Sequence, residues 1–129
     1  MRALLDTQVF LWWNLDVTRL STRAFEIIAD EANEIHLSVA SAWEISIKYA
    51  KGQLRLKDTE PNAWVPSRIR LDGLQILAID LPHALGAGAL PLIHHDPFDR
   101  LLVAQAQLER LPILTSDPNI ARYEVEVIW

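Results

Sequence analysis

The stretch LIHHDPFDRLLVAQAQLERLPILTSDP, residues 92–118, sets an acidic cap, a helix and a short apolar strand in series. Asp96 and Pro97 suit the N-cap and first position of a helix. The run FDRLLVAQAQLERL (98–111) has helical spacing, and PILTSD (112–117) reads as a buried strand ending in an acid. A helix feeding a non-alternating apolar strand is a building unit of parallel sheets covered on both faces.

Outward from this stretch the same units recur. RALLD (2–6), EIHLS (34–38), LQILAID (74–80) and VEVIW (125–129) read as further strands. TQVFLWWNL (7–15) is apolar nearly all round and reads as a helix covered on more than one side. STRAFEIIADEA (21–32) opens on the N-cap Ser21, and VASAWEISIKYAKG (39–52) is a helix closed by Gly52. PNAWVPSRIRLDG (61–73) is a weaker helix, started or interrupted by Pro66, and PHALGAG (82–88) is a short one. The pattern predicts an α/β layer fold with a largely parallel sheet, as one domain over residues 1–129.

Composition narrows the chemistry. The chain has no cysteine, which excludes disulfides and thiolate metal sites and makes the cytoplasm the expected location. It has no apolar run of membrane-spanning length, and MRALLDTQVFLWW lacks the cleavage signal of a secretory leader. Net charge is −5 and the pI about 5.3, so bulk charge would not hold nucleic acid. Clustered carboxylates would need cations between them.

In open parallel sheets the working site lies beyond the carboxyl ends of the strands. Asp6 and Asp117 end strands, Glu44 lies on the helix after EIHLS, and Asp96 and Asp99 open the helix before PILTSD. Each acid also has a structural reading. Asp6, Asp96 and Asp117 could cap helices, and Glu44 could join Ser41 in a capping box or pair with Lys48. Coincidence at four distant places favours a shared rim. Oxygen-rich sites suit Mg²⁺ or Mn²⁺, ions that bind phosphates and activate water.

Other motifs carry less. His94 and His95 do not make a zinc site, because adjacent side chains seldom point together and no third His or Cys lies near. They read as loop histidines available to a substrate or partner, and His36 and His83 as structural. Gly86 and Gly88 lack the Lys-Ser/Thr ending of a phosphate loop.

LLDTQVFLWW, SVASAWEISIKYAKGQLRL, HHDPFDRLLVAQA and ILTSDPNIARYEVEVIW, in this order over essentially the whole chain, resemble a PIN-domain protein. More narrowly they resemble the toxin of a VapBC-type toxin–antitoxin pair. The resemblance implies a PIN-like fold, with a parallel sheet of four or five strands flanked by helices. It implies a Mg²⁺- or Mn²⁺-dependent ribonuclease whose acids fall on Asp6, Glu44, Asp99 and Asp117. Asp96, Thr7, Ser116 and Arg100 are expected to support them, Thr7 and Ser116 by bonding an acid or a metal-bound water. Lys48, Lys51, Arg55, Lys57 and Arg100 are candidate contacts for RNA phosphates. An antitoxin is the implied partner, with a homodimer left open. It is expected to bury Trp12 or Trp13 and send a basic side chain toward Asp6 and Asp99. The rival readings are a Mg²⁺-dependent phosphatase or phosphoacceptor, which would need a second acid where Gln8 stands, and a non-catalytic interaction module.

Overall fold

In the computed structural model, which describes residues 1–129, the expected strands are all present, β2 with its expected bounds and the other four shorter. They are β1 (Arg2–Leu5), β2 (Glu34–Ser38), β3 (Gln75–Leu77), β4 (Ile113–Leu114) and β5 (Val127–Ile128). All four pairings are parallel, in the order β3-β2-β1-β4-β5. The chain builds β1, β2 and β3 outward, then returns to lay β4 on the other side of β1. That return makes the β1/β4 border the switch point of the sheet, where open α/β sheets leave a crevice.

Six α-helices surround the sheet: α1 (Thr7–Leu15), α2 (Thr22–Ala29), α3 (Val39–Ala50), α4 (Pro61–Asp72), α5 (Leu81–Ala89) and α6 (Pro97–Glu109). Alternation along β1 sends Ala3 and Leu5 into a core shared with Val9 and Phe10 of α1, Ile28 of α2, Ile45 of α3 and Trp64 of α4. Leu4 points to the opposite face, among Leu102, Val103 and Ala106 of α6 and Ile113 of β4. Helix α5 lies on α6, where the Gly86 backbone sits close to Ala104 and Leu108.

Pro66 neither starts nor breaks its helix: α4 begins at Pro61 and runs through it. Asn62 and Pro66 are both exposed, so the carbonyl that loses its donor can meet water. Gly73, at φ +66, ends α4 in the left-handed conformation that a side chain would disfavour. Helix α2 stops at Ala29, three residues before the expected end, because Asp30 turns the chain by accepting from the Ala32 and Asn33 amides.

Two buried polar ties fix the helices that carry the site acids. The Ser38 hydroxyl caps α3 through the Ala40 amide and donates to Gln105 Oε1 of α6 at 2.5 Å. Gln105, fully buried, also donates to the Ala78 carbonyl at 3.1 Å. Thr7 at the start of α1 donates to Ser41 of α3 at 2.8 Å.

Candidate active site

At the carboxyl ends of β1 and β4 lies a cavity of about 220 Å³ lined by Asp6, Thr7, Gln8, Glu44, Lys48, Asp96, Asp99, Ser116 and Asp117. None of these side chains is hydrophobic. All four acids singled out from the sequence therefore reach one cavity, from four different elements or their ends.

Asp6 follows β1 and is 8 % exposed. It occupies the N-cap position of α1, yet its side chain makes no capping bond; Oδ2 instead accepts from the Thr115 hydroxyl at 2.8 Å. Burial raises its pKa from 3.8 to about 6, the Thr115 hydroxyl and the nearby Gln8 amide pull it back, and Glu44 and Asp117 add repulsion. Asp99, in the first turn of α6, is pushed up to about 7 by burial, with Asp6, Asp96 and Glu44 adding to the rise and the bond to His94 opposing it. Carboxylates that hold protons this far above their ordinary range are poorly solvated and crowded by like charge.

Glu44 projects from the second turn of α3, too deep for a capping box because the helix starts after Ser38. Lys48 Nζ pairs with its Oε2 at 3.2 Å. Its Oε1 is buried without a partner. Asp117 accepts from the Asn119 amide at 2.8 Å, holding the turn after β4. Asp96 does cap α6, accepting from the Phe98 and Asp99 amides at 2.8 and 3.2 Å.

The supporting residues divide. Thr7 lines the cavity, but its hydroxyl donates to Ser41 rather than to an acid. Ser116 is an exposed wall residue, and the hydroxyl that bonds an acid belongs to its neighbour Thr115, which the sequence reading passed over. Arg100 is not available to a phosphate. Its guanidinium turns inward and donates to the carbonyls of Ala87, Leu90, Pro91 and His94 and to the Tyr123 hydroxyl. Helical geometry explains the difference: adjacent residues on α6 point about 100° apart, so Asp99 faces the cavity and Arg100 the loop behind it. Among the expected cations only Lys48 lines the cavity; Lys51, Arg55 and Lys57 are exposed beyond it.

His94 was read from sequence as a loop histidine available to a substrate or partner, which missed its bond to Asp99. It is half-buried, and its Nε2 lies 2.9 Å from Asp99 Oδ2. His95 is exposed. His36 and His83 are buried, as expected of structural residues.

The PIN domain family model matches residues 3–126, a span that holds β2, β3, β4 and all four site acids. The chain belongs to the PIN domain family. It is 48 % identical over 63 residues to ribonuclease VapC16 of Mycobacterium tuberculosis, a match covering 48 % of this chain and 42 % of that protein. Its fold is similar to that of VapBC2 from Rickettsia felis, solved bound to a DNA fragment from its promoter (TM-score 0.70, 17 % identity, 99 % and 98 % of the two chains). It is also similar to FitAcB from Neisseria gonorrhoeae (TM-score 0.67, 21 % identity, 100 % and 97 %).

The donor set fits a hard divalent cation. It offers carboxylate oxygens from four elements, no thiolate, and one buried oxygen, Glu44 Oε1, that nothing in the protein satisfies. No helix of the chain is long and apolar enough to cross a membrane.

Proposed function

We propose that the chain is a metal-dependent endoribonuclease and the toxin of a type II toxin–antitoxin pair. The observation that carries this reading is the convergence of Asp6, Glu44, Asp99 and Asp117 on one polar cavity, with Glu44 Oε1 buried and unpartnered. These four would hold Mg²⁺ or Mn²⁺. Such an ion, when bound, makes water a stronger nucleophile and offsets charge gathering on a phosphate and its leaving oxygen.

The chain's own residues do the rest. The Thr115 hydroxyl fixes the rotamer of Asp6, and Ser38–Gln105 and Thr7–Ser41 hold α1, α3 and α6 in register. Lys48 limits repulsion around Glu44 and is the cation nearest an incoming phosphate. Trp43, 60 % exposed beside Glu44 in sequence, sets its ring edge-on to Phe98 with centroids 5.2 Å apart. A base of single-stranded or looped RNA can stack on such a face without sequence preference.

The relatives support the toxin assignment: the one of closer sequence is named a ribonuclease, and a toxin–antitoxin complex from Klebsiella pneumoniae has a similar fold (TM-score 0.61, 22 % identity). The phosphatase reading lacks its second acid, since Gln8 lines the cavity there. The interaction-module reading accounts for Asp96, a true cap, but not for Asp6 or Glu44, which cap nothing. For the antitoxin, α1 offers a divided surface. Val9, Phe10 and Leu11 are buried, while Trp12 and Trp13 are half-buried against Trp129 and Phe25. On this reading the chain works in the cytoplasm, and its antitoxin buries Trp12 or Trp13 and sends an Arg or Lys toward Asp6 and Asp99. The test is cleavage of single-stranded RNA with Mg²⁺ or Mn²⁺ against excess EDTA. Chelation should abolish it; cleavage unchanged by EDTA would end the reading.

A further inference from the structure

Two clusters set a histidine against two carboxylates, with ligand atoms all within 4.8 Å of one another: Asp80, His83 and Glu109, and His94, Asp99 and Asp117. They differ in how the ring is held. His83 Nδ1 accepts from the Asp80 amide at 2.9 Å, so the ring proton sits on Nε2, which donates to Glu109 at 2.8 Å. A protonated nitrogen cannot bind a cation, and freeing it would undo the cap of α5. His83 is a strut between α5 and α6.

His94 is held by its backbone instead. Its amide donates to the Tyr123 hydroxyl at 2.9 Å, and its carbonyl accepts from that hydroxyl at 3.3 Å and from Arg100 at 3.4 Å. The ring makes one hydrogen bond, through Nε2 to Asp99, and Nδ1 has no partner within the protein. Moving the proton to Nδ1 keeps the ring neutral and turns the Nε2 lone pair toward the acids.

We propose that His94 Nε2 is a nitrogen ligand to the divalent ion of the acidic cavity, beside Asp99 and Asp117, and that it biases the site toward manganese over magnesium. The inference rests on reading the cavity as a metal site, for which the unpartnered, buried Glu44 Oε1 is the independent sign. The 2.9 Å between His94 Nε2 and Asp99 Oδ2 suits it. Neighbouring ligands on an octahedral ion with bonds of about 2.1 Å lie about 3 Å apart. Magnesium favours oxygen and keeps its water, whereas first-row transition ions gain from an imidazole. Buried Arg100 and Tyr123, which serve no phosphate, acquire a purpose: they clamp the loop that delivers His94.

The experiment is pulsed electron paramagnetic resonance of Mn²⁺ bound to the full chain, with Mg²⁺ competition measured alongside. The parent should show nitrogen-14 coupling from a directly bound imidazole. His94→Gln, which can keep the hydrogen bond to Asp99 and every backbone bond of the loop, should lose that coupling and remain folded. Its affinity for Mn²⁺ should fall by about tenfold or more, since even outer-shell partners are worth about 10–100-fold in metal affinity, and its affinity for Mg²⁺, which gains less from an imidazole, should fall less. His95→Ala should match the parent. Mn²⁺ bound at the acids without nitrogen coupling would overturn the role of His94 and leave the acidic metal site standing. A parent that binds no Mn²⁺ at millimolar concentration would overturn both.

Discussion

Replacing Asp6 by asparagine should stabilise the metal-free protein while removing its proposed function. Asp6 is 8 % exposed and its pKa is raised from 3.8 to about 6, with burial the main cause. The folded chain thus keeps this proton over a window where the unfolded chain has released it. The stabilising contribution is complete below pH 4 and is lost as pH rises through about 6. At about 1.4 kcal/mol per pH unit, holding the ionised form costs about 3 kcal/mol at pH 8. An asparagine oxygen can still accept from Thr115, but the new amide hydrogens need partners, which returns about 1–2 kcal/mol of the gain. The net expectation for Asp6→Asn at pH 8 in EDTA is about 1–2 kcal/mol, or a Tm higher by about 3–8 °C for a chain of this size. At pH 4 the advantage should vanish or reverse. Mn²⁺ should raise the Tm of the parent but not of the variant. Thermal denaturation over pH 4–8, with and without metal, tests this. A variant less stable than the parent at pH 8, or an advantage independent of pH, would refute the claim that the acids are crowded and desolvated.

Arg100→Met should cost about 3 kcal/mol or more in urea denaturation, because it strands carbonyls of the loop that Arg100 now satisfies. Unchanged stability with lost cleavage would return Arg100 to the phosphate-binding role expected from sequence. Trp43→Ala, at a position 60 % exposed, should leave Tm nearly unchanged and raise KM for single-stranded RNA about fivefold or more, the scale of one stacked base; an unaltered KM would remove the stacking face. Trp12→Ala and Trp13→Ala, if folded, should weaken antitoxin binding by about tenfold or more. Parental affinity in both would make α1 wholly a core element, with the partner docking elsewhere.

The sheet was legible because its strands are short, mostly non-alternating apolar runs, and α2 and α6 carry clear caps at Ser21 and Asp96. Strand lengths were not, except that of β2, which spans Glu34–Ser38 as expected. Edge strand β3 pairs over only Gln75–Leu77 because Asp80 is already capping α5, a constraint visible only once the helix is seated. The four acids were legible because strand ends and helix starts in a parallel sheet converge, so position in sequence implied position in space. Thr115, Gln105 and His94 were not. Their roles depend on side chains meeting across 109, 67 and five residues, respectively, and nothing in local spacing marks such a meeting. Arg100 misled for the converse reason: proximity in sequence to Asp99 placed it on another face of α6.

The central claim is that the four acids support water-driven cleavage of RNA. The most direct measurement is the chemistry of the new RNA ends, for the parent and for Glu44→Gln, with Mg²⁺ or Mn²⁺ present. The account predicts 5′-phosphate and 3′-hydroxyl ends, made by attack of water on phosphorus, and loss of those ends by about a hundredfold or more in Glu44→Gln. Ends carrying a 2′,3′-cyclic phosphate, formed equally well by Glu44→Gln, would mean that the ribose hydroxyl is the nucleophile and would contradict it.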